Sequence, residues 1–203
     1  MAKGVLLIIS GPSGSGKGTI VEQLVSELGY CVSISATTRN PRPNEKDGIH
    51  YFFKTKEKFE KMIDNGELLE HAAFCGNYYG TPKKYVEEQL ESGKNIILEI
   101  EVQGALQVKK KYNDAVLIFT MPPTLTELRR RLEFRGTETK EVIDARINRA
   151  EEELEFLPDY DYIVINDTVD EAVKDVDCIV KAERMKCSRN PELKNKFKGV
   201  VNK

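Results

Sequence analysis

The residues best suited to chemistry stand together near the start of the chain, in a glycine-rich stretch at 11–19. Glycines at 11, 14 and 16 permit positive φ angles, so several main-chain N–H groups can converge on one anion. The apolar run at 5–9 predicts a strand before it. The amphipathic segment at 20–28 predicts a helix after it, whose N-terminus adds unpaired amides and a positive dipole. With Lys17 as a mobile ammonium, the stretch predicts a P-loop that binds β- and γ-phosphates.

The residue after Lys17 departs from the usual P-loop pattern, in which Ser or Thr at that position holds Mg²⁺. Here Gly18 takes that place, and a hydroxyl follows one residue later at Thr19. The sequence leaves open which hydroxyl faces the metal. A turn that binds nothing is the simpler alternative, but strand, loop, lysine and helix all stand where phosphate binding needs them.

Length and charge narrow the class of protein. The 203 residues suffice for one α/β domain with a sizeable core and a small inserted subdomain. The 31 Lys and Arg residues nearly balance 33 Asp and Glu residues, so no overall basic field favours nucleic acid or an anionic membrane. Six of the ten arginines fall within 129–149. Because Arg suits bidentate phosphate recognition, this cluster predicts an anion site, with surface pairing to glutamates as the alternative for any one of them.

The cysteines and the chain's apolar runs bear on its location. The four cysteines, at 31, 75, 178 and 187, form no C-x-x-C pair and have no neighbouring histidine that would complete a zinc site. They are expected to be free thiols in a reducing compartment. The N-terminal residues lead straight into the first predicted strand, and no apolar run reaches membrane-spanning length. We therefore expect a cytoplasmic protein without a membrane partner.

Apolar strands and amphipathic helices alternate along the chain and predict an α/β fold: a P-loop parallel sheet core flanked by helices. At 34–81 short strand-like runs surround one helix, with a turn-rich stretch at 76–81, which predicts a small inserted mixed α/β subdomain. Two helices around a break at Gly136 predict a helical lid. We expect a single domain with its core at 1–33, 82–124 and 151–186, the insertion at 34–81, the lid at 125–150 and a C-terminal tail at 187–203.

A second anion site is what separates a kinase with a phosphorylated acceptor from other P-loop proteins. Arg39 and Arg42 lie three residues apart on a loop that two prolines keep extended. Tyr51 and Tyr79, in the predicted insertion, add hydroxyl donors. A hydrolase with a single nucleotide substrate has no use for a second phosphate pocket. These residues therefore favour a kinase.

Two acids follow the strand predicted at 95–99. Glu99 ends that strand in the position of a Walker-B carboxylate, which usually faces Mg²⁺ or its waters. Glu101 would lie on the same side if the strand continued. Thr19 and Glu99 are the metal-facing candidates, either directly or through water.

Five motifs in order resemble the guanylate kinases, over residues 4–185. They are Gly11-Pro-Ser-Gly-Ser-Gly-Lys17, Ser35-Ala-Thr-Thr-Arg39-Asn-Pro-Arg42, Gly76-Asn-Tyr-Tyr79-Gly-Thr81, Leu98-Glu-Ile-Glu101-Val-Gln-Gly104 and Arg135-Gly-Thr-Glu138. The resemblance implies transfer of the γ-phosphoryl group of ATP to GMP with Mg²⁺, giving ADP and GDP. That family more often carries Asp where this chain has Glu99 and Glu101.

The resemblance also implies roles for individual residues. The expected ATP-binding residues are Gly11, Pro12, Ser13, Gly14, Ser15, Gly16, Lys17, Gly18, Thr19, Arg131 and Asn166. The expected catalytic residues at the transferring phosphoryl group are Lys17, Arg135 and Arg146. The expected GMP-binding residues are Ser35, Arg39, Arg42, Tyr51, Glu70, Tyr79, Thr81, Glu101 and Arg149, of which Ser35, Glu70 and Thr81 are expected to read guanine. The expected partners are ATP and GMP or dGMP, and the sequence does not decide between a monomer and a homo-oligomer.

Two alternatives stay open on the sequence alone. A related kinase with another small acceptor would keep the P-loop and the lid but change the base-reading residues. A catalytically silent interaction module would typically lose the P-loop glycines or Lys17, all of which are present here.

Overall fold

The computed structural model describes residues 3–74, 76–134, 136 and 139–198, and within them the chain forms an α/β fold with two sheets. The strands are β1 (Leu6–Ser10), β2 (Cys31–Val32), β3 (Ala36–Thr37), β4 (Phe52–Phe53), β5 (Leu68–Phe74), β6 (Asn77–Pro82), β7 (Ile96–Glu99), β8 (Val116–Met121) and β9 (Tyr162–Ile165). The helices are α1 (Lys17–Leu28), α2 (Lys56–Asp64), α3 (Lys83–Glu91), α4 (Val102–Lys111), α5 (Leu125–Phe134), α6 (Lys140–Leu154), α7 (Val169–Met185) and α8 (Glu192–Lys198). None of these helices is long and apolar enough to cross a bilayer.

The first sheet is parallel, with strand order β2-β7-β1-β8-β9. All five residues of β1 are buried, because α1 and α7 pack on one face of the sheet and α3 and α4 on the other. Parallel strands covered on both faces are continuous apolar runs, as the sequence indicated. The expected α/β class with a parallel P-loop core is therefore confirmed.

The second sheet is mixed, with strand order β4-β3-β6-β5. It includes residues 77–82, so the prediction of a turn-rich stretch at 76–81 was wrong. These residues form β6, which pairs antiparallel with β5 on one side and β3 on the other. Pairing on both sides outweighs the local turn preference of Gly76 and Asn77. All strands of this sheet lie between residues 36 and 82, which is the region of the predicted insertion. That this region forms a separate subdomain stays a prediction.

Residues 31–35 divide between the two sheets. Cys31 and Val32 pair with β7, and the Ser33 N–H still reaches the Ile97 carbonyl at 2.9 Å. The Ser35 carbonyl instead accepts from the N–H of Phe52 in the second sheet. The chain therefore passes from one sheet to the other over three residues.

The parallel topology brings the carboxyl ends of β7, β1, β8 and β9 to one edge. In open parallel sheets, ligands bind at this edge. Here the edge presents Glu99 from β7, the P-loop after β1, and Asn166 after β9. The second sheet and the α5–α6 pair supply the remaining site residues.

Candidate active site

The P-loop is a tight turn between β1 and α1. Gly11 and Gly16 have φ angles of 139° and 89°, which side-chain-bearing residues rarely adopt. A Cβ on Gly11 would lie 2.1 Å from the Thr120 carbonyl oxygen, and one on Gly16 would lie 2.2 Å from Nδ2 of Asn166. Helix α1 begins at Lys17 without an acidic residue in its first turn, so its positive end is available to an anion.

Two cations lie at this turn. Lys17 Nζ donates to the carbonyl oxygens of Gly11 at 2.6 Å and Pro12 at 3.0 Å. Arg146 of α6 donates to the Ser13 hydroxyl. Helices α1 and α6 thus each place one positive charge at the P-loop turn.

A buried carboxylate forms the centre of a second pocket. Glu70 on β5 is 4% exposed, and its Oε1 accepts a hydrogen bond from the Thr81 hydroxyl at 2.7 Å. Burial raises the pKa of Glu70, and the Thr81 hydrogen bond partly opposes that shift. The register between β5 and β6 shifts between Leu68 and His71, an irregularity of the kind that re-aims a side chain beside active sites. The arrangement presents a carboxylate oxygen to a ligand that carries adjacent donors.

The loop that carries Arg39 and Arg42, the arginine loop, follows β3 of the second sheet. One guanidinium nitrogen of Arg39 lies 2.9 Å from each carboxylate oxygen of Glu45, and Glu45 also accepts from the backbone N–H of Arg42 at 2.7 Å. The hydrogen bond from Arg39 is the main cause of the lowered pKa of Glu45. The Arg39 guanidinium is 5.5 Å from the centroid of the Tyr51 ring, which meets the Tyr79 ring edge-on. Glu45 therefore fixes the loop's shape, a role that the sequence reasoning missed although Glu45 stands three residues after Arg42.

Two adjoining cavities connect these groups. The P-loop cavity, of about 420 Å³, is lined by Lys17 and Arg146 among others, and the base cavity, of about 460 Å³, by Ser35, Glu70 and Tyr79 among others. They share one wall, formed by Glu99, Ile100, Glu101 and Arg149. Ligands in the two cavities would meet at this shared wall.

Charged side chains of opposite sign form the shared wall. Strand β7 ends at Glu99, and Glu101 is the N-cap of α4, so the strand does not continue to carry both acids. Arg149 of α6 lies 3.0 Å from Glu101 and 3.2 Å from Glu153. Burial raises the pKa of Glu153, which lines the P-loop cavity and was also missed from the sequence. Its spacing of four residues from Arg149 on one helix was the available signal.

A third cavity, of about 290 Å³, is lined by Gly14 and Gly16 of the P-loop. Arg131 and Asn166 line it, and the Arg131 guanidinium donates to the Asn166 carbonyl at 3.0 Å. The Asn166 amide donates to the Ser15 carbonyl at 2.8 Å, while its Oδ1 is buried without a hydrogen-bond partner among the described residues. Asn166 thus ties the end of β9 to the P-loop.

The structure brings most of the predicted site residues to these three cavities and separates others. The P-loop cavity and the base cavity contain Gly11, Pro12, Ser13, Lys17, Ser35, Tyr51, Glu70, Tyr79, Glu99, Glu101, Arg146 and Arg149, and the third cavity contains Gly14, Gly16, Thr19, Arg131 and Asn166. Thr19 and Glu99, the two metal candidates, therefore line different cavities. Arg39 and Thr81 contact cavity residues, Arg42 is exposed, and Arg135 lies outside the described residues.

The donor set suits a metal that arrives with the nucleotide. The described residues hold no group of three or more His, Cys, Asp or Glu side chains that would bind a metal by themselves. Mg²⁺ usually keeps several waters and takes one or two carboxylates plus substrate phosphates. Glu99 and Glu101 offer carboxylates beside the P-loop cavity. A Cβ on Gly18 would meet nothing within 4 Å, so this position also has room for water.

The P-loop carries two cations, and its cavity shares a wall with a pocket that contains a buried carboxylate. An arginine loop lies beside that pocket. These features define a P-loop kinase that phosphorylates a nucleotide. Comparison with known proteins identifies the family. The chain belongs to the guanylate kinase family, whose family model matches residues 3–183. Members of this family are nucleoside monophosphate kinases that transfer a phosphoryl group from ATP to GMP, and such kinases typically use a divalent metal with ATP.

Individual relatives cover nearly the whole chain. A guanylate kinase from Desulfitobacterium hafniense (strain Y51) is 48% identical over 198 residues, covering 97% of this chain and 98% of the relative. One from Streptococcus pneumoniae (strain ATCC BAA-255 / R6) is 52% identical over 183 residues, covering 89% and 88%. The crystal structure of guanylate kinase from Anaplasma phagocytophilum has a TM-score of 0.73 at 34% identity, covering 93% of this chain and 90% of that one.

Proposed function

We propose that this chain binds ATP and GMP in the two adjoining cavities and transfers the γ-phosphoryl group at their shared wall. The observation that carries the proposal is that the P-loop cavity and the base cavity have Glu99, Ile100, Glu101 and Arg149 in common. A phosphate oxygen of GMP forms the new bond to the γ-phosphorus. The bond from that phosphorus to the β,γ-bridging oxygen breaks, which leaves ADP.

The protein's contribution is positioning and charge neutralisation, because phosphoryl transfer needs no covalent nucleophile. Lys17 and Arg146 both contact the P-loop turn and act on the transferring group. Arg135 keeps its expected role beside them. Glycine amides and the N-terminus of α1 hold the other phosphates of ATP.

Arg39 and Arg42 bind the GMP phosphate, with Tyr51 and Tyr79 as hydroxyl donors. The hydrogen bonds of Glu45 to this loop support the assignment, because they fix the Arg39 guanidinium over the Tyr51 ring before any ligand binds. Pre-ordered donors reduce the entropy cost of binding.

Glu70, Thr81 and Ser35 read guanine. Guanine has adjacent N1–H and N2 amine donors, and an ionised carboxylate accepts both. The Thr81 hydrogen bond and 4% exposure of Glu70 support this role, because they fix the carboxylate away from water. At the other end of the site, Asn166 and Arg131 face the adenine of ATP.

Mg²⁺ is the proposed metal, and when bound it neutralises charge on the β- and γ-phosphates of ATP. Glu99 lines the P-loop cavity and would hold the ion directly or through water. Thr19 keeps its place as a candidate, although it lines a different cavity from Glu99. We also propose a cytoplasmic location, which the free thiols of Cys31, Cys178 and Cys187 support.

An acceptor panel tests the function. ADP formation from ATP would be measured with GMP, AMP, UMP and CMP in turn, and GDP would be identified as the product. We expect GMP to be preferred over AMP by roughly 10⁴-fold. A Lys17→Ala preparation controls for contaminating kinases. Equal rates with AMP or a pyrimidine nucleotide would show that the acceptor has been misassigned.

A further inference from the structure

Helix α4 packs against the edge of the second sheet at the strand that carries Glu70. We propose that Gly104 on this helix is a specificity-determining residue, because its missing side chain makes the space in which the Glu70 carboxylate is held. The inference rests on the proposed role of Glu70 in reading guanine.

The geometry at Gly104 gives the reason. A Cβ on Gly104 would lie 3.0 Å from Oε2 of Glu70 and 3.4 Å from its Cδ. Contacts this short force the neighbouring group to move by a few tenths of an ångström. Oε2 belongs to the carboxylate whose other oxygen accepts from Thr81, and Gly104 itself lines the base cavity. A methyl group at 104 would thus press on the second carboxylate oxygen of Glu70, in the wall of the base cavity.

The backbone does not explain a glycine at this position. Gly104 lies within α4 and is not among the residues with a positive φ angle. Glycine inside a helix is less favourable than alanine, because it loses more conformational freedom on folding. A residue that breaks a local preference often marks a functional site. Here a Cβ would meet Ile100 Cδ1 at 3.4 Å, and its shortest contact would be the 3.0 Å approach to Glu70.

The same face of α4 also holds the backbone on each side of Glu70. The Gln107 side-chain oxygen accepts from the His71 N–H at 3.4 Å, and Lys111 Nζ donates to the Leu69 carbonyl at 2.8 Å. Positions 104, 107 and 111 repeat at helical spacing, so they share one face. Because α4 fixes residues 69 and 71, Glu70 cannot move away from position 104 by shifting its backbone.

This arrangement joins base reading to phosphate transfer. Helix α4 begins at its N-cap Glu101, a residue of the wall between the two cavities. One rigid element therefore sets both the position of the Glu70 carboxylate and one end of the shared wall.

The first test is Gly104→Ala. We expect the KM for GMP to rise by about tenfold, since sub-ångström misplacement of a recognition group is costly, and the GMP/AMP preference to narrow. The KM for ATP should stay unchanged. The melting temperature should stay level or rise, because alanine favours the helix. A lowered melting temperature with unchanged KM for GMP would show that Gly104 serves packing alone and would overturn the inference.

A double-mutant cycle with Glu70→Asp gives the sharper result. Aspartate is one methylene shorter, so its carboxylate withdraws from position 104. Adding Gly104→Ala to Glu70→Asp should then raise the KM for GMP by far less than tenfold. The effects of the two substitutions should therefore be non-additive. Full additivity would contradict the proposed contact.

Two further variants separate this inference from the proposed function. If Glu70→Gln leaves the GMP/AMP preference unchanged, guanine is read elsewhere and the proposed function of Glu70 fails. If that preference collapses but the cycle is additive, only the role of Gly104 fails. Lys111→Ala should raise the KM for GMP, and the matched control Lys110→Ala, at an exposed position of the same helix, should not. Equal effects of the two lysine variants would contradict the role given to this face of α4.

Discussion

Replacing Glu70 by Gln tests base recognition with almost no change in volume. The Thr81 hydroxyl donates to Oε1 of Glu70, so the amide of Gln keeps this bond through its carbonyl oxygen. Its NH₂ group then takes the place of Oε2, and the residue still lines the base cavity. Guanine would meet a donor where it needs an acceptor, whereas adenine N1 would gain a donor.

The size of the effect follows from the lost hydrogen bond. A hydrogen bond to a charged group contributes about 1.5–3 kcal/mol, and a donor left unpaired in a buried site costs about 1–3 kcal/mol more. The sum, about 2.5–6 kcal/mol, corresponds to roughly 10²- to 10⁴-fold in kcat/KM for GMP. Because Glu70 is 4% exposed, water cannot replace the lost partner. The rate with AMP should stay level or rise.

The assay measures steady-state ADP formation with GMP and with AMP for the parent enzyme, for Glu70→Gln and for a control variant. Glu67→Gln is the matched control, since Glu67 precedes the same strand and is exposed. A Glu70→Gln enzyme that keeps kcat/KM for GMP and the discrimination against AMP would refute the assignment of Glu70.

Three other predictions follow from the site. Lys17→Ala should lower turnover by about 10³-fold or more, because it removes a cation from the transferring group. The circular dichroism spectrum should stay unchanged. Near-parental turnover would contradict the role of Lys17. Thr19→Val should raise the Mg²⁺ concentration needed for half-maximal rate if Thr19 faces the metal. Gly18→Ser should be tolerated, because position 18 is open. An unchanged Mg²⁺ dependence of the Thr19→Val enzyme would assign the metal to Glu99 or to water. Burial raises the pKa of Glu70, so the charged carboxylate destabilises the folded protein at pH values above that pKa. This destabilisation disappears as the pH falls through the raised pKa. Glu70→Gln should therefore melt above the parent near pH 8, with the difference vanishing towards roughly pH 4, and a lower melting temperature near pH 8 would contradict the buried charge.

The sequence predicted the parts of the fold that depend on local patterns. The buried run at 5–9, the glycines and Lys17 define a strand, turn and helix within one short segment, and no distant contact is needed to find them. The N-cap of α2 also follows a local rule, because Thr55 accepts from the Lys58 N–H and Thr is a favoured N-cap residue.

What the sequence did not predict depends on pairing between distant segments. Residues 77–82 resemble a turn until β3 and β5 supply partners on both sides. Glu45 and Glu153 are ordinary surface glutamates in the sequence, and only the folded chain places them against Arg39 and Arg149. The contact between Gly104 and Glu70 joins two elements whose packing no local pattern encodes.

The central claim is that two nucleotide cavities join at one wall to form a single transfer site. A linked inhibitor, with adenosine and guanosine joined 5′ to 5′ through an oligophosphate chain, measures this directly. If the cavities adjoin as described, the inhibitor should compete with both ATP and GMP and bind far more tightly than either nucleotide, because the second half binds intramolecularly. Competition with ATP alone, together with ordinary nucleotide affinity, would contradict the account.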